Sequence, residues 1–244
     1  DSLNIDGMTF NNSEFTLSWE LGSSANYLTY QLLNAEYSPY ASINVSDSLF
    51  KSLTFEYLDD NKDEESYVFR LNSNSFDGVE YGWQEVAFQI DAIQPNGLYI
   101  YPRQQIITNN SEFDFDIMLE EIENVRSIYV ELEYDKEVLS IDPDSVQIGT
   151  VFSDCEGSLL LINDNPDQFG ILKINISFLG DSCNGFEGSG TLVSVQGKSF
   201  QLPYDNESLL KLNNNSSFRD VNNSEINISN INVSQPHIAR VVFP

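Results

Sequence analysis

The sequence predicts an all-β chain folded as two β-sandwich domains in tandem, and three observations carry that expectation. Leu, Ile, Val, Phe and Tyr dominate the apolar residues, and most alternate with polar ones in runs of five to eight. A period of two marks a strand with one buried face. No sustained helical period stands out, although 113–121 fits either a helix or a strand. The apolar pattern breaks at Ile93-Gln94-Pro95-Asn96-Gly97 and resumes at Leu98-Tyr99-Ile100-Tyr101, as expected at a domain boundary. At 244 residues and 41% hydrophobic, the chain is long and apolar enough for two cores. The expected division is 1–93, a short linker at 94–97, and 98–244.

In the first domain, strands are expected at 3–10, 14–20, 27–33, 39–45, 52–58, 66–73 and 84–91. Turn signals separate them every 8 to 12 residues. Seven short strands in about this length suit an immunoglobulin-like sandwich. Phe15-Thr16-Leu17-Ser18-Trp19 resembles the second strand of the fibronectin type III family, which implies that Trp19 is buried between the sheets. Leu58, followed eight residues later by Ser66-Tyr67, resembles that family's tyrosine corner, which implies that the Tyr67 hydroxyl bonds backbone upstream. On these residues the domain resembles the fibronectin type III family, with no Arg-Gly-Asp tripeptide.

In the second domain, strands are expected at 98–102, 113–119, 126–134, 147–152, 158–162, 171–179, 190–196, 208–212, 226–234 and 237–243. Four segments carry a resemblance here: Tyr134-Asp135-Lys136-Glu137-Val138-Leu139, Gly170 to Phe178, Phe186-Glu187-Gly188-Ser189-Gly190-Thr191-Leu192, and the Asn-rich turn 217–223. In this order they resemble the cohesin family, which receives dockerins in cellulosome scaffolds. The resemblance implies a nine-stranded jelly-roll sandwich. Val193-Ser194-Val195-Gln196 departs from the family pattern.

Charge narrows the function. With 38 Asp and Glu against 11 Lys and Arg, the net charge is −27, so neither nucleic acid nor an anionic bilayer is an expected partner. No run approaches the roughly 20 apolar residues of a spanning helix, and no membrane insertion is expected. Three readings of the acidity stay open: a solubilising surface, divalent-cation binding, and adaptation to an unusual ionic medium. For Ca²⁺, Asp59, Asn61 and Asp63 alternate in one loop, and Asp220 with Asn222 offers a second candidate. The first loop lacks the glycine and distal glutamate of an EF-hand, so a solvated turn is the competing reading.

No catalytic residues are expected, because the single histidine, His237, leaves little for a triad or a zinc set. Cys155 and Cys183 flank a predicted antiparallel strand pair, which suits a disulfide in an oxidising compartment; two buried free thiols are the alternative. Asn-x-Ser triplets at Asn11, Asn44, Asn109, Asn175, Asn206, Asn215, Asn222, Asn227 and Asn232 are candidate glycan acceptors. Tyr37, Tyr40, Tyr81 and Trp83 are candidates for a sugar-stacking platform or a covered edge. The chain begins at Asp1 without an apolar leader, as after signal-peptide removal or in a cut fragment.

The expected function is a non-catalytic extracellular or cell-surface component of a layer, sheath, filament or adhesin. Its partners would be copies of itself or other surface proteins. Ile238, Val241, Val242 and Phe243 would supply a strand to a neighbouring chain. The alternative is an accessory part of a polysaccharide-degrading system that binds a dockerin or a glycan.

Overall fold

The computed structural model describes residues 5–18, 25–35, 52–61, 64–75, 77, 79–152, 157–163, 165–179, 185–229 and 238–243. The regular structure is β throughout apart from short 3₁₀ turns, and the chain divides into two compact units, Asp1–Ala92 and Ile93–Pro244.

In the first unit, β1 (Met8–Phe10), β6 (Glu80–Ile90), β5 (Tyr67–Ser75) and β3 (Ala25–Leu33) form one sheet in the order β1-β6-β5-β3. A second sheet pairs β2 (Phe15–Ser18) with β4 (Ser52–Phe55). The expected strand at 39–45, Trp19, Tyr37 and Tyr40 lie outside the described residues. Alternation sends Tyr67, Phe69 and Leu71 of β5 and Val86, Phe88 and Ile90 of β6 into the core, where they meet Leu17, Phe55 and Leu58. Phe88 is the hub: its ring centroid lies 5.7 Å from Tyr67, 5.8 Å from Phe10 and 6.3 Å from Phe55. The Tyr67 hydroxyl donates to the Asp59 carbonyl oxygen, 3.0 Å away and eight residues upstream. That bond ties the start of β5 to the loop that precedes it.

The second unit is organised by β9 (Glu112–Tyr134), a single strand of 23 residues where two shorter ones are expected. Its first half pairs with β7 (Gly97–Tyr101) and β14 (Phe186–Ser199), and β14 pairs onward with β10 (Leu139–Ile141) and β11 (Gln147–Ile148). Its second half pairs on one side with β13 (Ile171–Phe178), which carries the edge strand β12 (Ser158–Ile162). On the other side lie β15 (Glu207–Leu212) and β16 (Ser217–Asp220). The continuity has a local cause. Glu121 and Asn124 take positive φ values of 44° and 55°, and the β9–β14 register shifts there, so the strand bends without ending.

Inward rows from both sheets meet in one core that includes Phe115, Ile117, Ile128, Val130, Leu132, Ile174, Val195, Leu210 and Phe218. The Tyr134–Leu139 motif is the link between sheets. The Asp135 carbonyl accepts from the Val138 and Leu139 amides at 3.1 and 2.8 Å, and its Oδ1 accepts from the Glu137 amide at 2.9 Å. The chain thereby turns from β9 into β10 with Val138 and Leu139 buried. Gly170 closes the same corner. It sits at φ +68°, its carbonyl accepts from the Tyr134 amide, and a Cβ there would lie 2.6 Å from the Tyr134 carbonyl oxygen.

Ile238, Val241 and Val242, expected as part of a donated strand, lie within this unit's own sheet, and Phe243 follows directly after them. Strand β18 (Ile238–Val242) pairs antiparallel with β15 and parallel with β8 (Gln104–Ile106) in its own sheet. Val241 and Phe243 are buried in its own core, because alternation turns them to the same side as Ala239.

Truncating Phe88 to Ala removes the aromatic hub of the first core, and the expected cost is about 3–5 kcal/mol to that unit. Differential scanning calorimetry of the variant should show one thermal transition moved down and the transition of the second unit in place.

Candidate functional site

The outer face of the β12–β13–β9–β16 sheet brings together groups that the sequence keeps far apart. Its rows follow from the register: Leu161, Asn175, Tyr129 and Ser217 in one, and Leu159, Ser177, Ser127 and Arg219 in the next. A third row sets Lys173 opposite Glu131. The inward neighbours of these residues, Ile128, Val130, Leu172, Ile174, Ile176 and Phe218, are buried, which fixes the facing. On the edge strand, Leu159 and Leu161 point to solvent at 38% and 54% exposure. Leu159 and Leu161 thus leave apolar surface in water along the edge of this face.

Beside the leucines stands a fixed polar cluster. Glu131 is buried although it lies on the outer face, because the turn 213–216 folds over it. The Tyr129 hydroxyl donates to Glu131 Oε1, Asn215 Nδ2 donates to Oε2 at 2.8 Å, and Lys173 Nζ lies 3.4 Å from Oε1. The Ser216 hydroxyl accepts from the Glu131 amide at 3.1 Å, and Asn213 donates its amide to the Glu131 carbonyl at 2.7 Å and its Nδ2 to Glu133. Burial by itself raises the Glu131 pKa, but the hydrogen bonds from Tyr129, Asn215 and Lys173 with the lysine charge outweigh it, and the carboxyl sits below its ordinary 4.5. Burial first, and then the same contact with Glu131, push Tyr129 up to about 12. At neutral pH the face therefore presents an ionised carboxylate locked between a phenol, an amide and an ammonium group.

At the end of this sheet, Tyr134 donates its hydroxyl to Asp167, whose Oδ1 also accepts the Ile141 amide at 3.1 Å. Burial first, and then the Asp167 carboxylate, raise the Tyr134 pKa far above its usual range. This pair braces the corner where β9 turns into β10.

The opposite sheet carries an acidic groove lined by Asp114, Asp116, Asp142, Asp144, Ser145, Gln147, Ser194, Val195 and Gln196. Part of this set is already engaged. Asp142 Oδ1 caps the Asp144 amide at 2.9 Å, and Gln196 Nε2 donates to Asp114 at 3.3 Å. Among the described residues, no group of three or more His, Cys, Asp and Glu side chains is placed to hold a metal ion.

The residues singled out in the sequence distribute as follows. Asn61 is buried and spends its carboxamide on backbone: Oδ1 accepts from Ile90 at 2.8 Å and Nδ2 donates to Glu65 at 2.9 Å. The Asp59 carbonyl holds Tyr67, and Asp63 lies outside the described residues. Asp220 Oδ1 accepts the Asn222 and Ser224 amides at 2.8 and 2.7 Å, closing the turn from β16 into β17 (Glu225–Ile226). Asn11, Asn109, Asn175, Asn206, Asn215, Asn222 and Asn227 are exposed, whereas Asn44 and Asn232 lie outside the described residues. Cys155, Cys183 and His237 also lie outside them. Sequence reasoning missed Glu131, Lys173, Asn215, Leu159 and Leu161 as members of one surface. The available signal was the outward phase of three strands, carrying Tyr129 and Glu131, Lys173 and Asn175, and Leu159 and Leu161.

No protein-family model matches the chain, and no curated protein does. Solved cohesin structures are similar to it. A non-cellulosomal cohesin from the hyperthermophilic archaeon Archaeoglobus fulgidus is 20% identical over 61% of this chain and 90% of its own, with a TM-score of 0.46. A type II cohesin domain from the cellulosome of Acetivibrio cellulolyticus is 16% identical over 59% of this chain and 92% of its own, at 0.47. A chain of a type I cohesin–dockerin complex from Clostridium thermocellum is 10% identical over 61% and 98%, also at 0.47.

The depressed Glu131 pKa sets the sign of a pH dependence. Its stabilisation is complete above the unfolded value near 4.5 and is lost as pH falls through the lower folded value. In acid-titrated urea denaturation, wild type should exceed Glu131→Gln in stability at neutral pH, with the difference shrinking as pH drops below about 4.5.

Proposed function

We propose that the chain is a non-catalytic extracellular interaction protein whose second unit receives a dockerin on the outer face of the β12–β13–β9–β16 sheet. The observation that carries the reading is the juxtaposition of exposed Leu159 and Leu161 with the Glu131 cluster. An apolar patch flanked by polar groups whose positions are already fixed is how protein interfaces combine desolvation with specificity. The groups around Glu131 are ordered before any partner arrives, so binding does not have to order them.

Two further features support it. The Tyr134–Leu139 and Gly170–Phe178 segments that resemble the cohesin family build the corner and the central strand of this same surface. In a chain of net −27, this face offsets its carboxylates with cations: Lys173 and Lys211 stand opposite Glu131 and Glu133, and Arg219 occupies an outward position on β16. Local relief from negative potential admits an acidic partner that the rest of the surface repels.

Isothermal titration calorimetry with dockerin modules tests the reading, alongside sedimentation velocity of the chain alone. Binding is expected at one site, and Leu161→Glu should weaken it about tenfold or more, the loss of one well-buried interface anchor. No binding across a dockerin panel, with concentration-dependent assembly of the chain alone, would replace it with the self-assembling surface-component reading.

A further inference from the structure

The first unit carries an exposed aromatic plate that its core does not use. On the outer face of the β1-β6-β5-β3 sheet, the register sets Thr29, Asn72 and Trp83 in one row and Gln31, Arg70 and Glu85 in the next. Trp83, on β6 beside the register shift between Asn72 and Asn74, is 43% exposed, whereas Val86, Phe88 and Ile90 of the same strand are buried. An indole left in water on a flat sheet face is costly unless something covers it.

The indole is held, not loose. The Arg70 guanidinium carbon lies 4.5 Å from its ring centroid, which fixes one face of the plate. Arg70 is itself pinned: Nε and Nη2 donate to Gln31 Oε1 at 3.0 and 2.5 Å, and Nη1 stands 3.8 Å from Glu85. Beside the plate, the Asn72 carboxamide oxygen is buried and has no hydrogen-bond partner among the described residues. The result is one rigid aromatic surface bordered by a carboxamide, a hydroxyl and an arginine–glutamate pair whose charges cancel.

We infer that Trp83 is the stacking platform of a glycan-binding site that takes a neutral polysaccharide. A pyranose ring presents a face of C–H bonds to an indole and hydroxyls at its rim to amide and hydroxyl side chains, which is the pattern of this face. A protein partner would have to cover a far larger area than one indole and its border. The row offers one aromatic among polar groups. An anionic polysaccharide is disfavoured, since Glu85 offsets Arg70 and the whole chain carries −27. The inference is independent of the protein-binding face on the second unit.

Native affinity electrophoresis of the full chain tests it, through gels containing a β-glucan, a xyloglucan, a galactomannan or an α-glucan. Retardation by at least one is expected, with the apparent affinity reduced about tenfold or more in Trp83→Ala and largely kept in Trp83→Tyr, which preserves a ring. Arg70→Gln should weaken it less than Trp83→Ala. Circular dichroism and calorimetric unfolding of each variant report whether both units remain folded. No retardation in any gel would overturn the inference, and so would equal retardation of wild type and Trp83→Ala.

Discussion

The second unit depends on one strand crossing from sheet to sheet without interruption. Because β9 pairs with β7 and β14 in its first half and with β13, β15 and β16 in its second, both layers are registered against a single backbone. The bend at Glu121 and Asn124 allows this, since two residues at positive φ change the strand's direction while it stays hydrogen-bonded on either side. From that crossing follow the shared core, the corner held by Tyr134, Asp135 and Gly170, and the placement of Tyr129 and Glu131 on an outer face.

The outer face shows how a sandwich turns a polar alternation into a site. A strand in such a sheet needs only solvated residues on its outward phase, and Lys173 and Asn175 satisfy that requirement. Glu131 does more. Its burial beneath the 213–216 turn would be unfavourable for a lone carboxylate, and the three donors around it reverse the sign of the pKa shift. Once satisfied in this way, the cluster is rigid, and it borders leucines that the core leaves out. The first unit repeats the logic on a smaller scale, with Arg70 fixed by Gln31 and Glu85 beneath an exposed indole.

Several local elements were legible in the sequence because they rest on short-range physics. The β12 and β13 strands are marked by continuous or alternating apolar runs, and the observed Ser158–Ile162 and Ile171–Phe178 lie at the expected places. The Tyr67 hydroxyl bond to the Asp59 carbonyl is the one implied by the resemblance of Leu58 and Ser66-Tyr67 to a tyrosine corner. The fusion of 113–119 with 126–134 was not, because nothing local in Glu120-Glu121-Ile122-Glu123-Asn124 marks a strand, and it is the long-range pairing with β14 that carries the strand through the bend.

Composition and period-two alternation therefore determined that this chain is all-β, where most strands run, and which residues of each strand face inward. They are local properties of the chain. Only the tertiary structure decided which outward residues become neighbours, and that is why Leu161, Asn175, Tyr129 and Ser217 form one row although Tyr129 and Ser217 lie 88 positions apart in sequence. It also decided that Val241 and Phe243 complete their own core. Alternation specifies a face but not a partner strand, and partner and register are settled by the long-range closure of the two sheets around one interior.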